Sequence, residues 1–141
     1  MRAVAALCVA TFLVGCGSEQ RRGDPPLRML GARDDEHGSE LRSAEVFDPR
    51  RNRWTAAGRM AAARYKITDA VARLPDGRVL VAGGAPAVEV FDPATLRFRT
   101  LLRTGAGPLF ATATALPDGR TLVAGGYDGR IQPSAAAALI G

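Results

Sequence analysis

The 141-residue chain is poor in the residues that build chemical sites: one His, two Cys, one Trp and two Tyr. Both cysteines, Cys8 and Cys16, lie at the N-terminus, so the rest of the chain has no disulfide framework. With His37 as the sole imidazole, a multi-histidine metal centre cannot be assembled from one copy. Lysine is nearly absent too. The 19 basic groups are almost all Arg, against 14 acidic ones, for a formal charge of +5. These arginines are scattered among acidic and turn residues rather than clustered with aromatics, so no nucleic-acid partner is expected. The only long apolar run, Ala3 to Val14, is too short to span a bilayer as a helix. What remains is 47% hydrophobic and 23% charged, with 16 Gly and 9 Pro. That is the balance of a foldable, turn-rich domain rather than a disordered tail.

The N-terminus reads MRAVAALCVATFLVGC: Arg2, an apolar stretch, then small residues before a cysteine. This is the layout of an export signal, and it stands apart from the fold. Leu13-Val14-Gly15-Cys16 resembles the lipobox of bacterial lipoproteins. That resemblance implies cleavage after residue 15 and a lipid on Cys16, holding the protein at a bacterial cell envelope, in the outer membrane or at the cell surface. Several acyl chains hold far more firmly than one, since each buried CH₂ adds about 0.8 kcal/mol. Residues 16–26 are polar and breaker-rich and read as a flexible tether.

Further along, the chain repeats itself. Ala44-Glu45-Val46-Phe47-Asp48-Pro49 returns as Val88-Glu89-Val90-Phe91-Asp92-Pro93, and Trp54 returns as Phe98, both forty-four positions on. Leu74-Pro75-Asp76-Gly77-Arg78 and Leu80-Val81-Ala82-Gly83-Gly84 return as Leu116–Arg120 and Leu122–Gly126, forty-two positions on. Each block is strand and turn chemistry. Val79–Ala82 is an apolar run between a Pro-Asp-Gly turn and a Gly-Gly pair, hence a buried strand. In Pro-Asp-Gly the proline fixes φ and the glycine supplies positive φ, so a tight hairpin follows. Strands are expected near 67–73, 78–82, 87–91 and 97–101. Residues 27–41 occupy the place of an earlier strand and long loop. The repeat makes the Ala-rich run 134–140 a strand, although helix propensity alone favours a short helix.

These residues resemble kelch repeats in their bacterial form: the Gly-Gly pairs at Gly83, Gly84, Gly125 and Gly126, the Val-Phe-Asp-Pro strand, and the aromatic at Trp54 or Phe98. The resemblance implies an all-β fold, an incomplete kelch-type β-propeller of four-stranded antiparallel blades, over 27–141. The blades would cover about 27–57, 58–102 and 103–141. Two and a half blades cannot close a ring. An open blade face of about 500 Å² would forgo on the order of 10 kcal/mol. The chain is therefore expected to self-associate, to be a truncated copy of a longer gene, or to be marginally folded.

Catalytic chemistry is not expected, nor is a cofactor. His37 sits in a charged loop, Arg33–Gly38, without a strand to fix it. That acidic loop lacks the oxygen-ligand spacing of a calcium site. The copper oxidases of the galactose oxidase group need two His and two Tyr, and this chain offers His37, Tyr65 and Tyr127. The Gly-Gly pairs are followed by no phosphate-binding Lys-Ser/Thr, so they read as strand-end glycines. Kelch propellers commonly bind partners on loops, here 33–40, 59–66 and 127–130. Tyr127 and Arg130 are the contact candidates for a protein or carbohydrate ligand. The resulting expectation is a non-enzymatic, lipid-anchored binding or scaffolding module. The alternative is a fragment of a carbohydrate-active or oxidative kelch enzyme, or a gene remnant.

Overall fold

The structure is a computed structural model that describes residues 28–30, 41–48, 51–65, 67, 69–105 and 107–141. Cys16, the tether, His37 and the loop 33–40 lie outside the described residues. Ten strands make three antiparallel sheets, and no helix occurs among the described residues. The first sheet is β1 (Arg28–Leu30), β2 (Leu41–Asp48) and β3 (Arg53–Arg64). The second is β4 (Val71–Arg73), β5 (Val79–Val81), β6 (Ala87–Asp92) and β7 (Arg97–Arg103). The third is β8 (Thr112–Ala115), β9 (Thr121–Ala124) and β10 (Ala137–Ile140). Each strand pairs with its immediate successor inside its own sheet, as a meander requires.

Three of the second sheet's strands fall where the repeat places them, and the first, expected over 67–73, is strand only over Val71–Arg73. The Ala-rich run is a strand, because β10 completes its ladder on β9, with Ala138 opposite Val123 and Leu139 opposite Leu122. One expectation needs correction. The loop expected over 59–66 is strand as far as Arg64, so β3 runs on past the junction expected at 57/58. The physical reason is Arg64 itself, which carries the end of β3 onto the second sheet.

That crossing is the tightest feature of the fold. Arg64 and Glu89 are 0% and 1% exposed, and their side chains meet at 2.8 Å from Nη2 to Oε2. Arg64 also donates to the Gly83 and Ala87 carbonyls, at 2.6 Å each. Glu89 accepts the Ala61 backbone N–H on its other oxygen at 2.8 Å. Around this pair, Ala44 and Ala57 of the first sheet pack on Val79 and Phe91 of the second. Met60 packs with Ile67, Ala70 and Val81. Across the second sheet's other face, Leu80, Ala82, Val88 and Val90 pack on Ile140 and Val123 of the third. Side-chain alternation thus gives the second sheet two buried faces.

The Pro-Asp-Gly turns are identical in the second and third sheets. Gly77 and Gly119 both have φ +87°. Asp76 accepts the Arg78 backbone N–H at 3.0 Å and its Nε–H at 2.6 Å, and Asp118 accepts from Arg120 at 3.0 and 2.8 Å. These arginine hydrogen bonds hold both carboxyls below the usual aspartate range. A depressed folded value gives stability that is full above the unfolded value, about 4, and lost as pH falls through the lower folded value. The melting temperature should therefore fall below about pH 4. Asp76→Asn with Asp118→Asn should flatten that slope in thermal scans taken between about pH 5 and pH 2.5. The effect should be small, because both pairs are exposed.

Candidate functional site

Antiparallel meanders place alternate connections at opposite ends. One end carries only tight turns. The other carries the Gly-Gly loops and the segments that link one sheet to the next. Loop length differs sharply at this second end. Val81 pairs with Glu89, eight positions on, whereas Val123 pairs with Ala138, fifteen positions on. The third sheet therefore carries an insertion after Gly125-Gly126, and the insertion contains Tyr127 and Arg130.

The insertion is ordered by a single carboxylate. Asp128 Oδ1 accepts the backbone N–H of Arg130 at 2.8 Å and of Gln132 at 2.9 Å. The Ile131 N–H donates to the Asp128 carbonyl, and the Asp128 N–H to the Gln132 carbonyl. Tyr127 exchanges backbone hydrogen bonds with Leu109, at 2.8 and 2.9 Å. This brings the link between the second and third sheets against the insertion. Phe110 and Tyr127 meet edge to face with ring centroids 6.3 Å apart. Phe110 is 50% exposed, Tyr127 39% and Ile131 73%.

Phe110 and Ile131 both hold positive φ, 55° and 61°. For a β-branched residue this conformation is strained. Positive φ occurs also at Asn52 and at the half-buried Leu96. Between the second and third sheets lies a cleft of about 220 Å³, lined by neither Phe110 nor Ile131. Its walls include Ala82, Val88, Pro108, Val123 and Ile140.

The residues singled out from sequence are thus distributed over different parts of the fold. Tyr127 and Arg130 share one loop, and the Arg130 guanidinium makes no ion pair among the described residues. Gly83, Gly84, Gly125 and Gly126 all have positive φ, between 63° and 91°, at the strand ends beneath this loop region. Trp54 and Phe98 stack on Phe47 and Phe91, with centroids 4.7 and 4.9 Å apart, away from it. Phe110 and Ile131 were not foreseen. The signal for Ile131 was the extra length between Gly126 and the Ala-rich run. Among the described residues no three His, Cys, Asp or Glu come together in a way that could hold a metal ion. No described helix is long and apolar enough to cross a membrane.

No protein-family model matches the sequence, and no curated protein matches it. Among solved structures, the chain resembles a fungal alcohol oxidase of the AA5 family, in complex with copper. The TM-score is 0.57 at 15% identity, over 82% of this chain and 26% of that one. The likeness shows the fold alone. The chain is an all-β protein of repeated antiparallel sheets, and it spans about a quarter of the oxidase's length.

Proposed function

We propose that the chain is a kelch-type propeller module, exported and held at a bacterial envelope through a lipid on Cys16, which binds a protein or carbohydrate ligand. The observation that supports the binding role is the exposed Phe110–Tyr127 pair, with the exposed Ile131 on the same loop as Tyr127. Rigid aromatics bind at low entropic cost, and Arg130 adds a cation with no ion pair among the described residues. The propeller reading draws on the internal repeat, the three successive meanders and the fold shared with the oxidase.

The oxidase likeness favours a second reading, a fragment of an oxidative enzyme. The residues fit copper poorly: His37 is the only imidazole, and the described residues form no metal-binding group. A glycan and peptide array probed with the protein tests the first reading. Tyr127→Ala and Phe110→Ala should each weaken any hit at least tenfold while leaving the melting temperature nearly unchanged. Hits indifferent to both substitutions, or stoichiometric copper with oxidase activity in the purified protein, would overturn it. Cys16→Ser should abolish membrane attachment without touching ligand binding.

A further inference from the structure

The junction between the first and second sheets recurs between the second and the third, with a different filling. Tyr65 and Leu109 take the same place in the two. A Cβ added to Gly84 would press on the Tyr65 carbonyl, and one added to Gly126 on the Leu109 carbonyl. Pro108 therefore stands where Arg64 stands, and Thr104 where Met60 does, at the same forty-four-residue shift that relates Phe98 to Trp54. The groups that Arg64 touches have counterparts too. Arg64 donates to the Gly83 and Ala87 carbonyls and to Glu89. Gly125 has the place and the positive φ of Gly83. Ala138 lies opposite Val123 as Glu89 lies opposite Val81, which puts Ala136 in the place of Ala87.

In the first junction these positions are filled, with Met60 3% and Arg64 0% exposed. In the second they are hollow: Thr104, Pro108, Gly125, Ala136 and Ala138 all line the cleft of about 220 Å³. The cleft is thus the space that an arginine and a methionine side chain occupy one junction earlier, in a fold whose interior is otherwise expected to be close-packed. We propose that it is a binding site for a small linear aliphatic molecule with a neutral primary amide head. The chain's own occupant supplies the shape, an unbranched stem ending in a planar group whose N–H donors meet strand-end carbonyls. The head is neutral because Ala138 replaces the carboxylate and no charged residue lines the cleft. An ammonium or guanidinium would lie there without a counter-charge. The amide N–H groups meet the Gly125 and Ala136 carbonyls. Ser134 Oγ lies on the same wall, accepts the Ala136 N–H at 3.2 Å and keeps its own proton to donate to the amide oxygen. A cavity of about 150 Å³ takes benzene, so this one takes roughly eight or nine atoms of that size. Phe110, Tyr127 and Ile131 do not line the cleft, and the site does not depend on their role.

The probes are hexanamide and hexylammonium, which share a stem and differ in the charge of the head. Titrated to millimolar concentration, hexanamide should shift the methyl resonances of Val88, Val123 and Ala138 saturably and raise the melting temperature. Hexylammonium should bind at least tenfold more weakly. Ala138→Glu, which restores the counterpart of Glu89, should reverse that order. Thr104→Met, which restores the counterpart of Met60, should fill the space and weaken hexanamide binding at least tenfold. Tyr127→Ala should leave it unchanged. Absence of a saturable shift, or hexylammonium binding to the unaltered protein as tightly as hexanamide, would overturn the proposal. So would hexanamide binding that is indifferent to Thr104→Met or lost with Tyr127→Ala, since either would place the molecule elsewhere. The comparison of the two probes on the unaltered protein decides the matter even where a variant fails to fold.

Discussion

Glu89→Ala is expected to cost about 3–5 kcal/mol, a large share of the 5–15 kcal/mol that a domain of this kind has in total. The substitution removes little apolar area. Its cost comes from what stays behind: a guanidinium that is 0% exposed, with its Nε already lacking a partner, and an Ala61 N–H with no acceptor. Neither can turn to water, because Arg64 is enclosed by both sheets. Arg64→Met alone should cost a similar amount, since it leaves the buried Glu89 with only the Ala61 N–H and takes the donor from the Gly83 and Ala87 carbonyls. Arg64→Met with Glu89→Met should recover the part of the loss that comes from an unpaired buried charge, while the Ala61 N–H and the Gly83 and Ala87 carbonyls still lack their side-chain partners. The measurement is urea unfolding of the wild type, Arg64→Met, Glu89→Met and their double variant in a double-mutant cycle, with Glu89→Ala measured beside them. A pair that behaves additively would show that the two charges do not depend on each other, against the geometry. Because the pair bridges the first and second sheets, Glu89→Ala should also lower the cooperativity of unfolding.

This pair marks where the sequence stopped being informative. The strands of the second sheet were legible because each is a short apolar run with a chemical stop at both ends, Pro-Asp-Gly before and Gly-Gly or Asp-Pro after. β10 was legible only through the repeat, since Ala135–Ala138 has no strand propensity of its own. Arg64 was read as part of a loop, because an arginine between alanines and a tyrosine looks solvent-facing when taken locally. Its burial depends on a carboxylate twenty-five residues away, and a single glutamate in a strand that alternates apolar and charged reads as an ordinary outward residue. The same limit applied at the end that carries the Tyr127 loop. Tyr127 and Arg130 were visible as loop residues of recognisable chemistry. Phe110 and Ile131 were not, because an apolar residue in a link or loop reads as core, and their positive φ is advertised by no residue type other than glycine.

Gly84→Ala is expected to cost about 3 kcal/mol, combining roughly 1–2 kcal/mol of left-handed strain with overpacking of similar size. Gly84 holds φ +66°, and a Cβ there would lie 2.6 Å from Ile67 Cγ2 and press on the Tyr65 carbonyl. Its N–H also donates to the Pro108 carbonyl at 2.9 Å. One residue thus lies under the link from the first sheet to the second and ties down the link from the second to the third. Gly126 repeats half of this arrangement, since a Cβ on it would lie 2.5 Å from the Leu109 carbonyl oxygen. Gly119 is the control. Its φ is +87°, yet nothing lies within 4 Å of an added Cβ, so Gly119→Ala should cost only the backbone strain, about 1–2 kcal/mol. The difference should appear as a gap of several degrees between the two melting temperatures. Equal losses would mean that dihedral strain alone accounts for the Gly-Gly pair. A second readout separates packing from position: Pro108 leads directly into Leu109 and Phe110, so Gly84→Ala should also disturb the Phe110–Tyr127 contact. Gly119→Ala, at the opposite end of its strand, should leave that contact as it is. The glycine pair then has two roles, closing the sheets on one another and setting the height at which the aromatic rim meets solvent.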